Sequence, residues 1–350
     1  MNEHDRITSS QAGGWSPDRP PSHPALRGTP APGPRRARPG NGPLLAAALA
    51  AGLSLGGLTA CGSGSSGSDG GRPTVVTSFY PLQYVTQRIA GDSVSITSLT
   101  KPGAEPHDLE LTPKDIASVH DADLVIYLSD FQSAVDDAVS SAGGTETLDV
   151  VKAARLGLTA THEHEDHSGD EHSHEHAGAD PHFWLDPTRL ADVADAVAAR
   201  LKSLVPDRAD SFTANAAALR KELLALDTEY SEALKTCDSR ELVTSHEAFG
   251  YLAERYDLEQ HGITGLVPEE EPGAAAIAQI VELVKKKKIR TVYYEVLVNP
   301  DIAKTVASEA KVATAVLDPV ESISDDSVAQ DYLGVMRANL TSLVKGQGCS

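Results

Sequence analysis

From Asp207 to Thr236 the chain contains neither glycine nor proline, while Leu219, Leu223, Leu226, Tyr230 and Leu234 recur at three- or four-residue spacing. That period lays a single apolar stripe along one face of a helix. At 1.5 Å per residue such a helix runs to about 45 Å, more than a small lobe needs. The segment, residues 207–236, therefore predicts a rigid strut with a separate block of chain at each end.

Both blocks alternate short β-branched apolar runs with helical patterns. The first holds Thr74–Phe79, Val94–Leu99 and Leu124–Leu128; the second holds Leu242–Ser245, Thr291–Val296 and Thr314–Leu317. Strands that are apolar throughout and separated by helices belong to parallel sheets covered on both faces. The expected fold class is α/β, with parallel-sheet lobes at 73–206 and 237–350. Open α/β sheets place ligands at the carboxyl ends of their strands, so a site between the lobes follows.

Residues 1–60 read differently. Nine of the 21 prolines lie between Pro17 and Pro43 in a Gly/Arg/Pro-rich stretch, the composition of a disordered leader. Arg35, Arg36 and Arg38 then precede an apolar run from Leu44 to Ala60, the charged and hydrophobic regions of a signal peptide. It is shorter than the ~20 residues of a spanning helix. It ends Leu58-Thr59-Ala60-Cys61, which resembles a bacterial lipobox with Cys61 as the lipidated residue. The Gly/Ser-rich stretch within residues 61–72 is expected to be a flexible tether from the membrane.

Three cysteines are an odd count, but lipidation of Cys61 leaves Cys237 and Cys349 as a pair for a disulfide in an oxidising compartment. The formal net charge is −20, and residues 1–60 hold six arginines against three acids, so the remainder is more acidic than the whole. That excludes a nucleic-acid partner, whose phosphates require a basic face, and suits a protein that handles cations outside the cell.

Histidine carries the chemistry. His162, His164, His167, His172, His174 and His176 fall within an acidic Gly/Ser tract, residues 161–178, without apolar residues to order it. The composition predicts a mobile loop of imidazoles, which are ligands for Zn²⁺, Cu²⁺ and Ni²⁺. Three further histidines stand in structured settings. His107 follows a strand in Gly103-Ala104-Glu105-Pro106-His107-Asp108. His182 precedes Phe183-Trp184-Leu185-Asp186-Pro187, and His246 ends the strand that opens the second block. Asp318, in Leu317-Asp318-Pro319, is a carboxylate at another strand end. Three imidazoles and a carboxylate make a chemically sensible tetrahedral zinc set. Asp108, Asp180, Asp186 and Glu247 could fix imidazole tautomers or could equally cap helices. His120 and His261 read as surface residues.

The local sequences Gly103 to Pro113, Asp180 to Pro187 and His246 to Tyr256, in this order, resemble the zinc/manganese solute-binding proteins of bacterial ABC importers, the ZnuA-like group. Glu271-Pro272, ahead of a helix ending in Lys285 to Lys288, is similar to that family as well. The resemblance runs from about Pro73 to the C-terminus. It implies two (β/α)₄-like lobes joined by one long helix, with His107, His182 and His246 as metal ligands and Asp318 as the fourth. Glu105 is the alternative carboxylate. It further implies a monomeric, non-enzymatic, lipid-anchored protein on the outer face of the cytoplasmic membrane. Such a protein delivers its ion to a membrane permease with its ATPase. Relatives of the manganese type carry Glu where this chain has His246, so the expected ion is Zn²⁺, with Mn²⁺ as the alternative.

Two other functions fit the same residues. A zinc hydrolase also uses three histidines, but it needs an open coordination position and a general base, and no HExxH sequence is present. A surface zinc buffer or adhesin would need no permease.

Overall fold

The computed structural model describes residues 71–159, 178–268, 272–325 and 327–350. The leader, Cys61, the tether to residue 70, the six tract histidines from His162 to His176, and Glu271 lie outside the described residues.

The described chain builds two four-stranded parallel sheets. The first comprises β1 (Thr74–Thr77), β2 (Ser95–Ser98), β3 (Leu124–Tyr127) and β4 (Thr147–Asp149), in the order β2-β1-β3-β4. The second comprises β5 (Glu241–Thr244), β6 (Glu259–Gly262), β7 (Thr291–Tyr294) and β8 (Ala313–Val316), in the order β6-β5-β7-β8. Every pairing is parallel, with Val76 opposite Thr97 and Val125 in the first sheet and Val243 opposite Gly262-adjacent His261 and Val292 in the second. The same topology thus occurs twice.

Six strands lie where alternating apolar runs predict them, and two do not. β4 and β6 are polar edge strands, and the second reads Glu-Gln-His-Gly. Both sit at a sheet edge, where a strand needs only one hydrogen-bonded neighbour and can dispense with an apolar sequence, although the edge strands β2 and β8 do not.

The first lobe's helices are α1 (Tyr80–Ala90), α2 (Pro113–His120), α3 (Ser133–Ser141), α4 (Val151–Ala154) and α5 (Pro187–Leu204). The strut, α6, spans Ala209–Ala233, about 37 Å at the standard rise. It is shorter than the expected 207–236 because Pro206–Arg208 forms a separate 3₁₀ turn ahead of it. The second lobe adds α7 (Gly250–Tyr256), α8 (Ala274–Lys287), α9 (Asp301–Ala310) and α10 (Tyr332–Gln347).

The apolar stripe of α6 is buried, from Phe212 through Leu219, Leu223 and Leu226 to Tyr230. Its polar side chains fasten it to both lobes. Arg88 of α1 donates to both oxygens of Glu222, at 2.9 and 2.7 Å, and Asn215 donates to the Ile89 carbonyl. At the other end Tyr230 donates to the Met336 carbonyl of α10, and Arg255 of α7 binds Asp227 through two nitrogens at 2.8 Å. One buried apolar cluster runs from Val75 and Phe79 of the first lobe, past Trp184, Leu219 and Leu223, to Leu242, Phe249 and Tyr332 of the second. Smaller clusters sit on the far face of each sheet. The described residues of the two lobes are therefore packed against one shared core and belong to one compact unit. Cys237, just after the strut, is disulfide-bonded to Cys349 at the C-terminus.

Candidate metal centre

His107, His182, His246 and Glu321 meet between the lobes. His107 lies on the loop that follows β2. That loop is held by Gln132, whose amide donates to the Pro106 carbonyl at 3.0 Å and to Thr100 Oγ1 at 3.1 Å. His182 immediately precedes the 3₁₀ turn Phe183–Leu185, whose three apolar side chains are fully buried. This anchors the imidazole as the apolar residues after it predict. His246 follows β5, and Glu321 follows β8 after a turn through Pro319. Each donor thus comes from a strand's carboxyl end or from a segment packed into the common core.

His182, His246 and Glu321 are fully buried, and the separations of the four facing atoms are short. His182 Nε2 lies 3.2 Å from His107 Nε2 and 3.4 Å from His246 Nε2. Glu321 Oε1 lies 3.4 Å from His107 Nε2, 3.0 Å from His182 Nε2 and 3.6 Å from His246 Nε2. A tetrahedron with arms of 2.0–2.1 Å, the usual zinc–nitrogen length, has edges of about 3.3–3.4 Å. Five of the six edges between these atoms bracket that value.

The outward nitrogens are also committed. His182 Nδ1 is 2.8 Å from Asp180 Oδ1, and His246 Nδ1 is 2.7 Å from Glu295 Oε1. A carboxylate at Nδ1 takes the N–H, which assigns the lone pair of a neutral ring to Nε2 and points it inward. Gly250 allows this arrangement locally, because a Cβ there would meet Asp180 Oδ2 at 2.5 Å. Three lone pairs and an anionic oxygen facing one another in a buried space favour a cation or a proton among them. Burial works to lower the affinity of His246 for its proton, yet the Glu295 charge and hydrogen bond, with Glu321, raise it well above the ordinary histidine value. For His182 burial is likewise outweighed by Asp180 and Glu321, and the net direction is upward. In His107 burial prevails, and its pKa is lowered. Burial would raise Glu321, but the three imidazoles hold it well below the usual carboxylate range.

The expected fourth donor is not the one that joins the histidines. Asp318 lies outside the cluster: its Oδ1 accepts from the Val320 backbone N–H at 2.8 Å, and its Oδ2 is buried without a hydrogen-bond partner. Three residues further on, Glu321 takes the place facing the imidazoles. Glu105 folds back onto the chain and accepts from the His107 backbone N–H at 3.0 Å. Of the acids with open roles, Asp180 orients His182, Asp186 caps α5 through Thr188, and Asp108 is exposed. Glu295 had no sequence signal beyond its place after β7. Among the described residues a second group of possible ligands, Glu241, Glu259 and His261, is already bridged by Lys287, whose Nζ is 2.7 Å from Glu241 and 3.6 Å from Glu259.

Residues 75–346 match the protein-family model for ZnuA, described as zinc-uptake complex component A, periplasmic. The zinc-binding protein AdcA of Streptococcus pyogenes serotype M3 is 37% identical over 289 residues, covering 78% of this chain and 56% of that protein. The chain thus spans a little over half the length of that relative. The high-affinity zinc uptake system protein ZnuA of Bacillus subtilis is 35% identical over 295 residues, covering 82% of this chain and 92% of its own. Among solved structures, the Zn(II)-bound ZnuA-like domain of Streptococcus pneumoniae AdcA is 33% identical. It superposes with a TM-score of 0.65, covering 79% of this chain and 99% of that one.

Proposed function

The chain belongs to the zinc-uptake complex component A family, and on that premise we propose that it captures Zn²⁺ between its lobes and delivers it to the permease of an ABC importer. The ligands are His107, His182, His246 and Glu321. The observation that carries this reading is the set of five donor separations between 3.0 and 3.6 Å, which suits a four-coordinate ion with arms near 2 Å. Three nitrogens and one oxygen in that geometry favour Zn²⁺ over Mn²⁺, which prefers oxygen-rich octahedral sites.

Four protein donors leave no position for a reacting water, in keeping with a solute-binding role and no catalytic step. The shared core and the strut make a wide hinge closure costly, so capture proceeds by small adjustments of the ligand loops. Cys61 tethers the protein to the outer face of the cytoplasmic membrane. The tract His162 to His176 raises the local ion concentration nearby.

The test is a competition titration of Zn²⁺ and Mn²⁺ into protein lacking residues 161–178. One tight zinc site, poorly displaced by manganese and lost in His246→Ala, is expected. Undiminished zinc affinity in His246→Ala, or no tight site at all without the tract, would refute the assignment and favour a surface zinc buffer.

A further inference from the structure

Six non-glycine residues among those described have left-handed backbone. Four of them, Arg155, Asp257, Lys288 and Lys311, close helices, where such a conformation is routine. Val320, at φ 58°, closes no helix and is the β-branched member of the set. A branched Cβ is strongly disfavoured there, and the surrounding structure must impose the conformation. It follows Pro319, at the position where a tight turn ordinarily calls for glycine.

The surrounding structure does impose it. Asn339 of α10 clasps Asp318 from both sides, accepting from its N–H at 2.9 Å and donating to its carbonyl at 2.6 Å. Trp184 Nε1 donates to the Pro319 carbonyl at 2.7 Å. The Val320 N–H donates to Asp318 Oδ1 at 2.8 Å, and the Val320 side chain is fully buried. Beyond the turn, Ser322 Oγ accepts from the Gly103 N–H at 2.8 Å, on the His107 loop. The segment is thus fastened to α10, to the His182 turn and to the His107 loop, and Glu321 projects from its apex.

We infer that Asp318 is a positioning residue: its carboxylate locks the left-handed turn at Val320 that aims Glu321 Oε1 at the three imidazoles. This rests on the reading of that cluster as a zinc site. The role requires an acceptor oxygen at Asp318, and it requires neither a negative charge nor contact with the ion. A ligand role for the same residue would require both.

The experiment is a double-mutant cycle in the full chain, with the tightest zinc phase read by chelator competition and the site loaded with Co²⁺ for its visible spectrum. Asp318→Ala should weaken zinc by about tenfold or more, as loss of an outer partner typically does. Asp318→Asn, which keeps the acceptor, should restore wild-type affinity. Because Asp318 acts through Glu321, Asp318→Ala should add nothing to Glu321→Ala, and both single variants should give the same altered cobalt spectrum. Additive losses, wild-type affinity in Asp318→Ala, or an Asp318→Asn variant as weak as Asp318→Ala would overturn the positioning role while leaving the metal site standing. Wild-type affinity in Glu321→Ala would overturn the metal site as described, and the positioning role with it. Should Asp318→Ala not fold, the isosteric pair decides: Asp318→Asn binding zinc as wild type while Glu321→Gln does not supports the inference, and the reverse refutes it.

Discussion

Acidification should begin to weaken zinc binding at higher pH than three ordinary histidines would require. In the metal-free site His182 and His246 have raised pKa values, because Asp180, Glu295 and Glu321 favour their charged forms despite burial. Both rings therefore hold a proton to higher pH than a free histidine does, and Zn²⁺ must displace any proton they carry, since only the neutral ring coordinates. His107, with its lowered pKa, contributes no such proton above the ordinary histidine range. Nor does Glu321, held well below the carboxylate range. Each proton released per ion changes the affinity tenfold per pH unit, equivalent to about 1.4 kcal/mol. Two such imidazoles set the ceiling at roughly 100-fold weaker binding at pH 6 than at pH 7. Calorimetry in buffers of different ionisation enthalpy measures the proton count directly, and Glu295→Gln should reduce it by about one by removing the charge beside His246 Nδ1. An affinity unchanged between pH 6 and 7, or a zinc-binding heat independent of the buffer, would refute the argument.

Trp184 offers an optical check. Its ring centroid is 5.3 Å from that of His182, and Trp15 in the leader is the other tryptophan of the chain. In protein beginning at Cys61, exchanging the His182 proton for Zn²⁺ should change tryptophan emission at one equivalent. No change would mean that the ion binds away from His182. Breaking the Cys237–Cys349 link, which closes a separation of 112 residues, should lower stability by up to about 4–5 kcal/mol in the chain-entropy account. Denaturant titration of the double serine variant checks this, and an unchanged unfolding midpoint would show that packing alone holds the C-terminus.

Local order was largely legible before any coordinates. The spacing of Leu219, Leu223, Leu226 and Tyr230 dictates a helix, and β-branched runs such as Thr74–Thr77 and Leu124–Tyr127 dictate strands, because burial of those side chains is the main energy each element contributes. The edge strands β4 and β6 were not legible, since backbone pairing with a neighbour holds them and pairing leaves no mark on composition. How the two lobes pack together is not legible for a related reason. Side chains from both blocks and from α6 close over one another into a shared core, a contact between segments remote in sequence.

The metal centre divides in the same way. His107, His182 and His246 stand in local sequences that resemble those of the ZnuA-like group, and it is that resemblance which marks them as ligands. Whether a carboxylate faces them depends instead on a backbone turn. Asp318 and Glu321 are three residues apart on one loop, and both are buried acids. The left-handed conformation at Val320 turns one inward and leaves the other bonded to the chain. That conformation is unfavourable for valine by itself; the Asp318 carboxylate holds the Val320 N–H, and Asn339, Trp184 and Gly103, remote in sequence, fasten the loop on three sides. Local propensity therefore determined the elements and the motif resemblance pointed to three imidazoles, while only the tertiary structure decided which carboxylate oxygen faces them.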